Sequence, residues 1–196
     1  MNYNINTEFK VRKVIAAINM TLDGICDHTA IQPDEEVHRH YTELLGQGGA
    51  ILYGRKTYQL MEFWRTFLEH PSEETPMNDF AVAIDKIPKI VFSHTLKNVD
   101  WKSARMASRP LGEEVSELLQ QPGRDIFIGS RSLIMQLMKM NLVDEFQLCI
   151  HPVVAGGGMP LFENLNDRAE FKLIRTKTFT GGAVILYYQV AGSSVG

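Results

Sequence analysis

The sequence predicts an α/β fold: a largely parallel sheet with helices on both faces and an antiparallel edge at its C-terminal end. Two observations carry this. Short apolar runs of strand length, such as "VIAAI", "AILY", "KIVF" and "IFIG", alternate with stretches whose apolar residues recur at helical spacing. The last third instead carries consecutive alternating runs, "FKLIRTKT" and "AVILYYQV", with turn residues between them.

Val14 to Ile18 reads as the first strand, and "NMTLDG" as the loop after it. Pro33 and Asp34 open a helix in which Val37, Tyr41, Leu44 and Leu45 share a face, and Gly46, Gly48 and Gly49 close it. Ala50 to Tyr53 is a second strand. Thr57 to Leu68 follows as a helix with Met61, Trp64 and Leu68 on one side, ended by "EHPSEETP". A short helix over Phe80 to Asp85 precedes a strand at Lys89 to Phe92, and a shorter strand is expected at Ala104 to Ala107. Glu113 to Gln120 reads as a helix, Ile126 to Gly129 as a strand, Ser132 to Met140 as a helix and Phe146 to Ile150 as a strand. "PVVAGGGMPLF" is a glycine-rich loop, and strands over Phe171 to Thr178 and Ala183 to Val190 complete the chain. Met135, Met138 and Met140 read as helix packing.

With 196 residues, 44% hydrophobic and 22% charged, the expectation is one globular domain spanning 1–196, with 1–11 a polar lead-in. The 20 basic and 23 acidic residues produce no global field for nucleic acid or an anionic membrane. Cys26 and Cys149 lack metal or disulfide-framework spacing, so a reducing, cytoplasmic setting is expected. His38 with His40, and Cys26 with His28, are too sparse for metal ligation, and the histidine pair reads as a solvated helix face.

Two basic residues, Arg55 and Lys56, follow Gly54 where a strand gives way to a helix, which reads as an anion site. The anion is not held by a P-loop: an extra residue separates Gly54 from Lys56, and the segment before it is a buried strand. A dinucleotide GxGxxG after a strand is also missing. What recurs is a polar strand end: "YGRKT", "FSHTL" and "IGSRS". In an open α/β sheet these ends form one crevice, placing Arg55, Lys56, Thr57, Ser93, His94, Ser130, Arg131 and Ser132 around a phosphate-rich ligand.

"AAINMTLDG", "ILYGRKTY", "KIVFSHTL", "DIFIGSRSL", "NLVDEFQLCIHPVVAGGGMPLF" and "VILYYQV" occur in an order that resembles the dihydrofolate-reductase-like family. Within it the chain is most similar to the reductase domain of the bifunctional riboflavin-biosynthesis deaminase-reductase, over about residues 12 to 190. The resemblance implies a three-layer fold with a mixed sheet of about eight strands, NADPH as hydride donor, a small C=N or C=O substrate and a homodimer. The substrate it suggests is 5-amino-6-(5-phosphoribosylamino)uracil; a different carbonyl, imine or pterin, or a non-catalytic NADP-binding module, are the rival readings. The deaminase zinc signature is absent from the 196 residues.

The resemblance also implies roles. Gly54, Arg55, Lys56 and Thr57 would hold phosphates, the cations near the 2′-phosphate, with Ser93, His94 and Thr95 flanking that end. Gly129, Ser130, Arg131 and Ser132 match the pyrophosphate turn, although Arg131 stands where a glycine or alanine is expected. Ala17 would meet the nicotinamide amide, and Asn19, Thr21, Asp23 and Gly24 match the loop over the reacting end, faced by Gly156 to Gly158. Asp23 is the candidate catalytic acid, and an Asp before Gly is equally a turn former. Asp34 and Glu35 suit a helix first turn through the dipole. Trp64 either closes the pocket or is core. The apolar "VILYY" would need cover if it formed a bare sheet edge.

Overall fold

A computed structural model describes residues 12–163, 165 and 168–190, so the expected polar lead-in lies outside the described residues. Eight strands, β1 (Val14–Thr21), β2 (Ala50–Gly54), β3 (Lys89–Phe92), β4 (Ala104–Met106), β5 (Ile126–Ile128), β6 (Glu145–His151), β7 (Phe171–Thr178) and β8 (Val184–Val190), form one sheet. Their order is β4-β3-β2-β5-β1-β6-β8-β7. Every pairing from β4 to β6 is parallel, and β8 runs antiparallel to both β6 and β7. The predicted α/β class with an antiparallel edge is what the chain adopts.

Alternation along the central strands sorts the core into two layers. Val14, Ala16 and Ile18 of β1 join Leu52 and Ile128 on one face, covered by α5 (Leu111–Gln120) and α6 (Arg131–Lys139) through Val115, Leu133, Ile134 and Leu137. Ile15, Ile51, Tyr53 and Phe127 point the other way, against α1 (Glu35–Gln47), α2 (Arg55–Met61) and α4 (Thr75–Lys86). Met135 and Met138 pack as expected, whereas Met140 is exposed just beyond α6.

Several boundaries differ from the sequence reading for identifiable reasons. β1 runs three residues past Ile18, because Asn19, Met20 and Thr21 pair in register with Cys149, Ile150 and His151. The helix expected over Thr57 to Leu68 begins at Arg55 and breaks into α2, a 3₁₀ turn (Glu62–Arg65) and α3 (Thr66–Glu69). The tighter turn brings Trp64 against Phe80, with ring centroids 4.5 Å apart. α4 starts ahead of Phe80, because Pro76 lies in its first turn, where a missing N–H costs no hydrogen bond. "VILYY" belongs to β8, which is interior; at that end of the sheet the edge strand among the described residues is β7, where Leu173 and Ile174 are exposed.

The histidine pair is not a solvated face. His38 and His40 stand on different sides of α1: His38 packs edge-on against Trp64 and Phe80, and His40 is buried beside Tyr41 and Phe179. Two residues apart on a helix means about 200° of rotation, so the pair cannot share one surface.

Candidate functional site

The C-terminal ends of β1, β2 and β5 open onto a cavity of about 530 Å³. Ala17 and Asn19 contribute from β1, Lys56 and Thr57 from α2, and Gly129 and Arg131 from the β5–α6 turn. Six of the residues selected from the sequence therefore meet at one place. Its volume suits a small-molecule site.

Beside it, β2 and the β5–α6 turn are joined at a junction poor in side chains. The Gly54 N–H donates to Ser130 Oγ at 2.8 Å, and a Cβ on Gly54 would lie 3.4 Å from Ser132 Oγ. A Cβ on Gly129 would sit 3.3 Å from the Tyr53 ring. Ser130 is buried and Ser132 exposed, so the two hydroxyls divide between holding the turn and facing outward. A little farther along the sheet, Arg55 Nη1 donates to Thr95 Oγ1 at 3.1 Å, and Ser93 Oγ accepts from the Thr95 and Leu96 N–H groups. His94 is exposed on the same turn. This arrangement fits a phosphate ester: backbone able to approach closely, hydroxyls, and cations on exposed side chains. α2 has only seven residues, so its dipole adds little; the N-terminus of the longer α6 is the better placed of the two.

Arg131 behaves differently from the other cations. Its Nε donates to the Pro160 carbonyl and its guanidinium pairs with Glu163, so its charge braces the glycine-rich loop instead of meeting an outside anion. That is how the turn accommodates a bulky residue at this position.

The loop after β1 is fastened to that same glycine-rich loop. Leu22 N donates to Val153 O, Cys26 N to Met159 O and Leu161 N to Gly24 O, at 2.8 to 2.9 Å. Gly158 has φ +128°, and a Cβ there would come within 2.7 Å of Ile25, so only glycine permits this contact. Asp23 completes the fastening: its carboxylate accepts from Thr21 Oγ1 at 2.5 Å, Ala155 N at 3.1 Å and Gly156 N at 2.9 Å. The hydroxyl of Thr21, and then the two amides, hold the Asp23 carboxyl down at about 2. It is thus an anion at neutral pH and does not line the cavity, which opposes its selection as the proton donor. Thr21 is wholly buried with its hydroxyl engaged by Asp23 and the Ile25 N–H, outside the cavity lining. Gly156 and Gly157 are exposed on the loop, outside the cavity lining. Asp34 caps α1 by accepting from the Val37 N–H at 2.9 Å.

The cavity also gathers residues that sequence reasoning did not assign to it, Cys26, Asp27, His28, His38, Tyr41, Phe63 and Phe80, together with Trp64, for which pocket and core were both open. Trp64 both touches the core and walls the cavity. His38 and Tyr41, one turn apart on α1, were readable as a shared face. Their aim at the strand ends was not. Tyr41 donates to Asn19 Oδ1 at 3.2 Å, and His151 Nε2 approaches the same oxygen at 2.9 Å, fixing the Asn19 carboxamide. Burial lowers the pKa of His38 and raises the Cys26 thiol to about 11, so both favour their neutral forms. Among the described residues no group of three or more His, Cys, Asp or Glu is placed to hold a metal ion, and no helix is long and apolar enough to cross a membrane.

Residues 12–185 match the RibD C-terminal domain family. The chain belongs to that family. Over 196 residues it is 33% identical to the uncharacterized protein YyaP of Bacillus subtilis (strain 168), covering 96% of this chain and 100% of that one. The uncharacterized protein YwjB of the same organism is 29% identical over 184 residues, covering 90% and 97%. Among solved structures, a putative riboflavin biosynthesis protein from Shewanella sp. PV-4 superposes with a TM-score of 0.67 at 19% identity, over 91% of this chain and 98% of that one. A pyrimidine reductase-like protein from Corynebacterium diphtheriae gives 0.63 at 14% identity, over 91% and 92%. Acinetobacter baumannii RibD gives 0.63 at 13%, over 92% of this chain and 58% of that one. The RibD C-terminal family supports a reductase-type domain, and the structural neighbours share its fold.

Proposed function

We propose that this domain is an NADPH-dependent reductase that delivers hydride to a small C=N or C=O substrate. The observation carrying it is the union, at one set of strand ends, of a phosphate-suited junction and an aromatic-walled cavity. When bound, NADPH supplies the hydride and leaves as NADP⁺; the substrate gains the hydride at carbon and a proton from solvent at nitrogen or oxygen.

The chain's own residues bind and orient. Arg55 and Lys56 counter the 2′-phosphate, with Ser93, His94 and Thr95 at that end. Thr57, Gly129 and Ser132, with the α6 N-terminus, would hold the pyrophosphate across a junction that Gly54 and Ser130 keep close-packed. Ala17 offers backbone groups to the nicotinamide carboxamide, and Asn19 orients the reacting end. Asp23 is a positioning residue that holds the 155–156 loop against the 21–23 turn. Calorimetry with NADPH and NADH tests the cofactor assignment: NADPH should bind more tightly, and Arg55→Ala should narrow the gap. Equal affinities would reject it. Following NADPH absorbance across carbonyl, imine and pterin substrates then tests turnover; tight binding without turnover on any of them would favour a non-catalytic nucleotide-binding module.

A further inference from the structure

The two ends of the cavity differ in chemistry. One end holds Lys56, Thr57 and Gly129, next to the Gly54–Ser130–Ser132 junction. Trp64 stands in the 3₁₀ turn that follows α2, with Phe63, Phe80 and His38 around it. Their rings meet edge-to-face, with centroids 4.5 to 6.0 Å apart, and leave a broad apolar wall. Phe63 is 56% exposed at its rim, which leaves a large aromatic face accessible there.

Charge separates the possible substrates further. Two permanent cations line the cavity, Lys56 and Arg131. Lys56 belongs to the junction, and Arg131 is engaged by the Pro160 carbonyl and Glu163. His28 sits 3.7 Å from Asp27, a further lining residue, whose negative charge would disfavour a phosphate nearby. The described aromatic end therefore presents π faces, neutral polar groups and an anion. A phosphoribosyl group would be desolvated there without a counter-charge.

We infer that the substrate is a planar aromatic or heteroaromatic carbonyl or imine compound carrying no phosphate, stacked against Trp64. This rests on reading the cavity as the reductase site and deepens it. Asn19 supplies the polar contact that orients such a ring: its Oδ1 is held by Tyr41 and His151, which leaves its Nδ2 hydrogens for an acceptor on the substrate. Stacking supplies affinity and the carboxamide supplies register.

The test is calorimetric titration of the full chain saturated with NADP⁺, using three probes: lumazine, uridine and uridine 5′-monophosphate. Lumazine should bind. Trp64→Leu should weaken it roughly ten- to a hundredfold, the scale of one lost base–aromatic stack, while Trp64→Phe keeps it within about threefold. Uridine 5′-monophosphate should bind no more tightly than uridine. Absence of lumazine binding, an unchanged lumazine affinity in Trp64→Leu, or a tenfold gain from the phosphate would each overturn the inference. Phe63→Ala, at a more exposed position, repeats the stacking test if Trp64→Leu fails to fold, with a loss of at least threefold expected and an unchanged affinity counting against the inference. Absence of NADP⁺ binding would defeat the reductase reading instead, and the same titrations on the free protein would still decide the substrate class.

Discussion

Replacing Ser130 by alanine tests whether the β2–α6 junction is structural, functional or both. The hydroxyl is 1% exposed and accepts the Gly54 N–H at 2.8 Å. Alanine leaves that donor without its partner, and a fully buried orphan would cost about 1–3 kcal/mol. Gly54 is only half-buried, so water reaches it in part and the lower portion, about 1–2 kcal/mol, is expected. In a domain of this size that lowers Tm by roughly 2–8 °C. Ser132→Ala is the contrasting variant, since its hydroxyl is exposed: Tm should stay within about 1 °C, while NADPH binding weakens roughly two- to tenfold through one lost hydrogen bond. Ser130→Ala should show both losses. Thermal melts and calorimetry on the two variants measure them. A Ser130→Ala protein that melts with the wild type would refute the importance of the Gly54 bond, and unchanged NADPH affinity in both variants would remove the junction from the cofactor site.

Stability should also depend on mildly acid pH. Burial, followed by Lys177 and Arg175, lowers the His40 pKa to about 4 against 6.5 unperturbed, so the unfolded chain binds the extra proton between those values. His40 therefore contributes stability above pH 6.5 that is lost as pH falls towards 4, up to about 3 kcal/mol; burial of His38 and His151 acts in the same direction. Urea unfolding at pH 7.5 and pH 5 should show the fall, and His40→Gln should flatten it; an unchanged slope would exclude His40 as a source. Asp23→Asn retains an oxygen for Thr21 and Ala155 but presents an amide to the Gly156 N–H, so turnover should fall by less than about tenfold with NADPH affinity intact. A loss of two to four orders of magnitude would restore Asp23 as the general acid. The exposed β7 edge with Leu173 and Ile174 predicts a homodimer; a light-scattering mass near 22.2 kDa at micromolar concentration would reject it.

What was legible from sequence was local or repeated. Lys89–Phe92 and Phe171–Thr178 are strands with the predicted ends, because their patterns are bounded by clear turn residues. The polar strand ends at Gly54 and Ser130 were readable as one crevice because a parallel sheet puts its carboxyl ends on one side. The aromatic wall was not. Trp64 was open between pocket and core, and that it serves both, with Phe63, Phe80 and His38 around it, appears only once the 3₁₀ turn and α4 are packed together. Asp23 shows the same limit from the other side. Its loop was recognisable, but the amides of Ala155 and Gly156 that engage it come from a segment more than 130 residues away.

The strand order carries a consequence for biosynthesis. β1 is made first but lies between β5 and β6, so both of its lateral partners are still untranslated when it leaves the ribosome. At about 5–20 residues per second, roughly 5–20 s pass before β5 follows, and longer before β6. Throughout that interval "VIAAI" lacks both of its strand partners, a natural client for a holding chaperone, and the central sheet closes only once β6 has followed.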